Sequence, residues 1–335
     1  MVADNINASV DLVVTWVDGS DPAWQKERQT YADSAGDQRE LRFRDWDLLR
    51  YWFRGVEAFM PWVRNIVFVT WGHVPAWLET THPRLRIVRH ADFIPAAYLP
   101  TFNSNAIEWN LHRIKGLSDC FVYSNDDFFP IAPIRQTDCF VNGLPRECAA
   151  QTLLQFKKNG IDRTIAANLE VLNAHFEKHY SVREHIGNWF YPAYGKYNLY
   201  NLYLYPFHSF TGFRILHSMM NLRKHTLEEL WEKEEDILDQ TCRNRFRTPL
   251  DLNIWLASYW QMASNQFRPK GYRNSLFVPI GQREQIQKAF QSRNIQTICL
   301  NDDDAEMNVE EERRFLNTCF ESLLPKRSSF EKNER

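Results

Sequence analysis

An apolar stretch, Cys120-Phe121-Val122-Tyr123, runs directly into Ser124-Asn125-Asp126-Asp127 and then into Phe128-Phe129. Adjacent carboxylates among hydrophobic residues need a partner, either a cation or hydrogen-bond donors. The oxygen ligands of Asn125, Asp126 and Asp127 suit Mg2+, or Mn2+, carrying a diphosphate. The same residues also suit a plain polar turn. An apolar run ending in acids predicts a buried strand whose C-terminal end presents them. That is the edge at which open α/β sheets bind substrates.

Other segments carry chemistry at lower specificity. Asp18-Gly19-Ser20-Asp21-Pro22 is a polar turn after a β-branched run. First loops of this kind hold nucleotides in α/β folds, yet neither a GxGxxG nor a P-loop motif is present. Arg42, Arg44, Asp45 and Arg50 gather where a helix should begin, and Arg243, Arg245 and Arg247 precede Thr248-Pro249. Arginine forks beside helix N-termini suit phosphate, whereas solvated basic loops are the simpler account. His217 has the side chain to take a proton from a hydroxyl, and His112 reads as a packing or supporting residue. No GxSxG elbow and no HExxH motif occurs, which removes those hydrolase classes.

The elements that must position these groups are legible as a rhythm. Residues 11–17, 66–70, 85–88 and 120–123 read as strands. Asp45 to Met60 reads as a helix capped by Asp45, with Leu48, Leu49, Trp52, Phe53, Val56 and Met60 on one face. Asn105 with Glu108, and Thr226 with Glu229, have the spacing of capping boxes, the first opening a helix through Ile107, Leu111 and Ile114. Thr248-Pro249 predicts a cap and a first-turn proline ahead of a helix through Leu252, Trp255 and Tyr259. Alternation over residues 11–130 implies a mostly parallel sheet. Residues 135–215 show no clean period and are rich in aromatics, as expected of an elaboration over a site.

Composition narrows the class. Forty basic against forty-two acidic residues in 335 give a net charge of -2, so no nucleic-acid partner is expected. Six cysteines without CxxC spacing fit a reduced compartment and argue against structural zinc. The start of the chain lacks the pattern of a signal peptide, and no apolar run is long enough to span a bilayer.

Taken together, these segments resemble the Stealth family of hexose-1-phosphate transferases. That family includes bacterial capsular polysaccharide phosphotransferases and the animal enzyme that adds GlcNAc-1-phosphate to lysosomal hydrolase glycans. Four blocks carry the likeness: residues 11–22; residues 42–51, 61–66, 101–114 and 125–127; His217 with residues 224–231 and 245–249; and residues 298–302 with 328–332. Met219 and Trp109 stand where the family usually has proline and serine. The resemblance implies a Rossmann-like, GT-A-like α/β core over 1–134, an acceptor-side insertion over 135–215, and a helical catalytic half over 216–335. It implies transfer of a sugar-1-phosphate from a nucleotide-sugar, such as UDP-HexNAc or UDP-hexose, to a saccharide hydroxyl in capsular or exopolysaccharide synthesis. His217 would be the base, with Arg247 and Arg50 on the phosphate and Asp45 orienting an arginine or the sugar. Asp11, Thr15, Trp16, Val17, Asp18, Asn103, Ser104 and His112 would shape the donor pocket, and Asn125, Asp126 and Asp127 would bind Mg2+ or Mn2+. A cytoplasmic location is expected. A peripheral seat beside a membrane polysaccharide assembly, and a homo-oligomer, remain open. The competing functions are an ordinary metal-dependent glycosyltransferase and a non-catalytic sugar-binding module.

Overall fold

Eleven strands are seen in a computed structural model that describes residues 9–33, 35–39, 43–157, 160–302 and 306–333. They are β1 (Asp11–Trp16), β2 (Ile66–Thr70), β3 (Leu85–Arg89), β4 (Cys120–Asn125), β5 (Phe128–Pro130), β6 (Phe140–Val141), β7 (Leu144–Glu147), β8 (Met220–Arg223), β9 (Arg268–Pro269), β10 (Ser275–Pro279) and β11 (Thr297–Asn301). The central sheet has the order β3-β2-β1-β4-β8, parallel except for β8. The fold is thus α/β with a mostly parallel sheet, as the strand–helix rhythm predicts.

Alternation explains why this sheet is covered on both sides. Val13, Phe121 and Tyr123 enter one apolar cluster, while Leu12, Val14 and Val122 enter another. Helix Trp255–Ala263 belongs to the first side. Helices Leu49–Phe59 and Val309–Leu323 pack into the second. Strand order runs from β1 outward in both directions, so β1 and β4 flank a topological switch point, where a crevice opens at the C-terminal strand ends. Strands β10 and β11 pair with β5, and Asp127 O accepts from Leu300 N at 3.1 Å. The last third of the chain is thereby fastened to the turn that carries the acids.

Several helix starts differ from expectation. The first long helix begins at Leu49, and Leu48 rather than Asp45 is its uncapped N-cap. The Asp45 carboxylate accepts from Asp47 N at 2.7 Å in the preceding turn. Asn103, not Asn105, caps helix Ser104–Trp109 by accepting from Asn105 N, and that helix breaks at Asn110. Thr226 lies inside helix Lys224–Lys233 and its hydroxyl faces Gln261. No helix starts at Pro249; Thr248 closes a turn on Asp251 through its amide (2.9 Å) and hydroxyl (2.6 Å), and the helix begins at Trp255.

Residues 135–215 are not without structure. They hold β6, β7 and helices Asp162–His175, Lys178–Glu184 and Tyr197–Leu204. Helix Asp162–His175 is tied to the later chain by Asn168 Nδ2 donating to Asn253 Oδ1 at 2.6 Å. All six cysteines are free, and among the described residues no helix is long and apolar enough to cross a membrane.

Candidate active site

In-register pairing places Thr15 beside Asn125 at the C-terminal edge of β1 and β4. Tyr123 organises this edge. Its hydroxyl lies 3.2 Å from Thr15 Oγ1, 2.7 Å from Asn125 Oδ1 and 2.8 Å from Glu108 Oε1. A phenol carries one proton, so it cannot donate to both carbonyl-type oxygens. Burial pushes the Glu108 carboxyl up to about 7, opposed by the hydrogen bond it accepts from the Tyr123 hydroxyl and by the Arg247 charge. Sequence spacing gave Glu108 a capping role; its real partner lies on the neighbouring strand.

Two carboxylates stand just beyond this network. Asp126 is open to solvent on one side and walled by protein on the others. Its carboxyl is pushed up first by that crowding and then by the charges of Asp127 and Asp45, against its own amide. Burial also lifts Asp127, to about 6, against Cys299, its own amide and Arg247. Asp127 Oδ2 meets Cys299 Sγ at 3.6 Å, but its Oδ1 is buried with no hydrogen-bond partner. An orphaned carboxylate oxygen beside like charges is what a cation would relieve. Among the described residues no three His, Cys, Asp or Glu side chains converge to enclose an ion. The donor set therefore fits a cation of the Mg2+ kind, which takes one or two carboxylates and completes its shell with water and substrate phosphate.

Arg247 reaches this place because its neighbour is an anchor. Phe246 is fully buried with Trp24 and Phe102, stacked on Phe102 at 5.3 Å. The backbone is pinned on either side, with Arg247 O accepting from Asp37 N at 2.8 Å and Arg245 O from Phe102 N at 2.9 Å. The Arg247 charge acts on Glu108, Tyr123 and Asp127. The other two arginines of the expected clamp are committed elsewhere. Arg243 pairs with Asp239 at 2.6 Å, and Arg245 donates to Pro100 O at 2.7 Å. With no helix starting at Pro249, the clamp reduces to one arginine held by an aromatic anchor.

The first loop packs tightly on Phe43 and His73. A Cβ on Gly19 would lie 2.0 Å from the Phe43 carbonyl oxygen, so only glycine allows that approach. Asp18 N donates to His73 Nε2 at 2.7 Å, and Asp18 Oδ1 accepts from the Ser20 amide and hydroxyl. Asp45 lies close enough to feel the Asp18 and Asp126 charges, and burial is the main reason its carboxyl is raised. Arg44 and Trp46 Nε1 both bind Asp302, at 3.3 and 3.0 Å, at the end of β11. Arg42 lies outside the described residues.

His217 enters from the far side of β10. Its ring packs 4.4 Å from Phe277 and 5.4 Å from Trp255. Phe277 pairs with Cys299, whose thiol touches Asp127. Burial lowers the imidazole below its ordinary value, which favours the neutral, proton-accepting form. Its φ of 41° is a left-handed backbone that His tolerates better than most residues.

Other expected site residues are placed differently. Asp11 sits at the opposite, N-terminal end of β1, bound to Arg64, and shapes no pocket at the crevice. Arg50 lies with its guanidinium 5.6 Å over the Trp77 ring. His112 is buried, with Nδ1 3.0 Å from Trp109 O, against Trp231; burial takes its imidazole down to about 4. Trp16 packs on Phe68 and His73, and Val17 packs against the Phe246 cluster. Asn103 is a buried tie, with Nδ2 donating to Asp251 Oδ2 at 2.8 Å and to Asn244 O at 3.1 Å, so it supports the Arg247 loop. Ser104 opens the helix next to it. His73, Glu108 and Tyr123 are the residues that sequence reasoning missed.

A parallel sheet with acids and an arginine converging at its switch point has the layout of an enzyme that holds nucleotide-type ligands. Comparison with known proteins makes this specific. Models of the Stealth protein conserved regions CR1, CR2 and CR4 match residues 9–36, 42–146 and 289–335. The capsular polysaccharide phosphotransferase WcwK of Streptococcus pneumoniae is 41% identical over 97% of this chain and 99% of its own. The exopolysaccharide phosphotransferase cps2G of Lactiplantibacillus plantarum is 34% identical over 96% of each. Among solved structures, the galactosyltransferase LgtC, crystallised with donor and acceptor sugar analogues, overlays 96% of this chain and 98% of its own at a TM-score of 0.37 and 9% identity, too loosely to carry a site across. The chain belongs to the Stealth family and is an enzyme, a phosphotransferase. His217 and Arg247 fall between the matched regions, within the span covered by the full-length relatives.

Proposed function

We propose that the protein transfers a sugar-1-phosphate from a nucleotide-diphosphate sugar to a saccharide hydroxyl in capsular or exopolysaccharide synthesis. UDP-HexNAc or UDP-hexose would be the donor. The acceptor oxygen bonds to the β-phosphorus, the bond from that phosphorus to the bridging oxygen breaks, and the nucleoside monophosphate departs. The observation that carries this reading is the orphaned Asp127 oxygen beside Asp126 at the switch-point edge, within reach of the Arg247 charge.

Phosphoryl transfer demands positioning and charge neutralisation more than covalent help. Arg247 would hold the transferred phosphate where negative charge accumulates. His217, neutral in its buried setting, would take the acceptor proton. Asp126 and Asp127 would hold Mg2+ or Mn2+, which supplies charge neutralisation at the diphosphate. The first loop, from Thr15 to Asp18, would border the nucleotide. The relatives' names support the polysaccharide setting.

The test is the nucleotide product. Incubation with UDP-sugars and acceptor should release UMP and give a phosphodiester signal by phosphorus NMR. His217→Ala and His217→Asn should each lower turnover at least about a hundredfold while remaining folded. Release of UDP would instead mean ordinary glycosyl transfer, and near-normal turnover in both variants removes the base assignment.

A further inference from the structure

We propose that the cleft lined by Glu147, Arg214, His217, Trp255, Tyr259 and Lys270 is the subsite that takes the acceptor saccharide. This deepens the phosphotransfer reading and rests on His217 as the base, since His217 forms one wall of the cleft.

Tyr259 supplies the independent observation. It is only 3% exposed, yet its hydroxyl has no hydrogen-bond partner while the residue lines the cleft. A buried hydroxyl left unpaired costs stability, and a ligand hydroxyl would satisfy it. Glu147 is also buried on this wall, with one oxygen accepting from Gln261 Nε2 at 3.3 Å. Lys270 follows β9 next to it, its backbone N donating to Glu147 O at 2.8 Å. Burial raises the Glu147 carboxyl to about 7, and the Lys270 charge opposes that rise.

The chemistry selects a neutral polyol. Glu147 offsets Lys270 inside the cleft, and the second cation, Arg214, is held at the rim by the Tyr197 hydroxyl and the Tyr197 and Tyr272 rings, so no cluster of free cations of the kind that grips a phosphate lines the cleft. Trp255, half-buried and edge-on to His217 at 83°, adds the flat apolar surface on which a sugar's C–H face can lie. Arg214 stands at the rim with its guanidinium 5.0 Å over both Tyr197 and Tyr272. Glu147 and Arg214 come from the aromatic stretch before residue 216, whereas His217, Trp255, Tyr259 and Lys270 come from the chain after it. That split gives residues 135–215 a direct hand in acceptor choice.

The experiment titrates the methyl glycosides of glucose, galactose and N-acetylglucosamine into wild type, Tyr259→Phe and Lys270→Met by saturation-transfer NMR. At least one glycoside should bind wild type, and Tyr259→Phe should weaken it roughly tenfold. Because the hydroxyl has no protein partner, Tyr259→Phe should melt no lower than wild type. In turnover, the same substitution should raise KM for the acceptor and leave KM for the donor unchanged. Failure of all three glycosides to bind, equal binding by Tyr259→Phe and wild type, or a raised donor KM in its place overturns the proposal. Binding is read without turnover, so a protein that releases UDP or nothing refutes the phosphotransfer reading and leaves this result distinct.

Discussion

The two ends of β1 and β4 each bury a carboxylate and treat it in opposite ways. At the N-terminal edge, burial alone would raise Asp11, but Arg64, the Ser118 amide and Asn65 outweigh it and hold the carboxyl below its ordinary value. Arg64 grips both oxygens at 2.8 and 2.6 Å, with Ser118 N at 3.0 Å and Asn65 Nδ2 at 3.1 Å. At the C-terminal edge, Asp126 and Asp127 are raised and one oxygen is left without a partner. The saturated acid fastens the β1 start to the loops before β2 and β4. The unsaturated pair is unfinished without a ligand. The residue type is the same in the two places; the sheet edge and the number of donors around the carboxylate differ.

The sharpest way to break this contrast is to neutralise each acid in turn. Asp126→Asn should lower turnover about a hundredfold or more. It should keep or raise the melting temperature, because it removes repulsion from Asp127 and Asp45. Loss of folding in that variant would make the edge structural after all. Asp11→Asn should do the reverse, costing about 2 kcal/mol in denaturant unfolding while kcat of the folded fraction stays near wild type. A specific loss of kcat there would restore Asp11 to the donor pocket. The smallest effect is in pH. His217 acts without its proton and lies below 6.5. The rate should therefore fall as pH drops through a midpoint under 6.5, with protonation of the raised Asp127 carboxyl adding to the same limb, and Asp11→Asn should keep that limb. A midpoint above 6.5 would show that another group controls the rate.

Much of the scaffold could be read from the chain. The β-branched runs predicted β1, β2 and β3, and the apolar run into acids predicted β4 with its ligand-bearing end. Both rest on local alternation, which survives into three dimensions. Helix starts were less legible, for one shared reason. Glu108, Thr226 and Thr248 all sit at capping spacing, but Glu108 bonds Tyr123, Thr226 faces Gln261 and Thr248 binds Asp251. A polar side chain at a helix start can serve its own backbone or a partner elsewhere, and spacing alone does not distinguish them. His73 carried no local signal at all, since its role comes from a loop brought over the Asp18 amide. Arg50 and His112 have the right residue types, but their helical turns aim them at Trp77 and Trp231.

Phe246 has a consequence for how the enzyme comes into being. Its ring closes a cluster with Trp24 and Phe102, residues far apart in the chain, and Arg247 rides on that closure. Contacts of such long sequence separation form slowly, because the loops between them must first be closed. During refolding, sheet and helix signals should therefore recover ahead of catalytic competence, and the interval between them is the time Phe246 takes to find its seat.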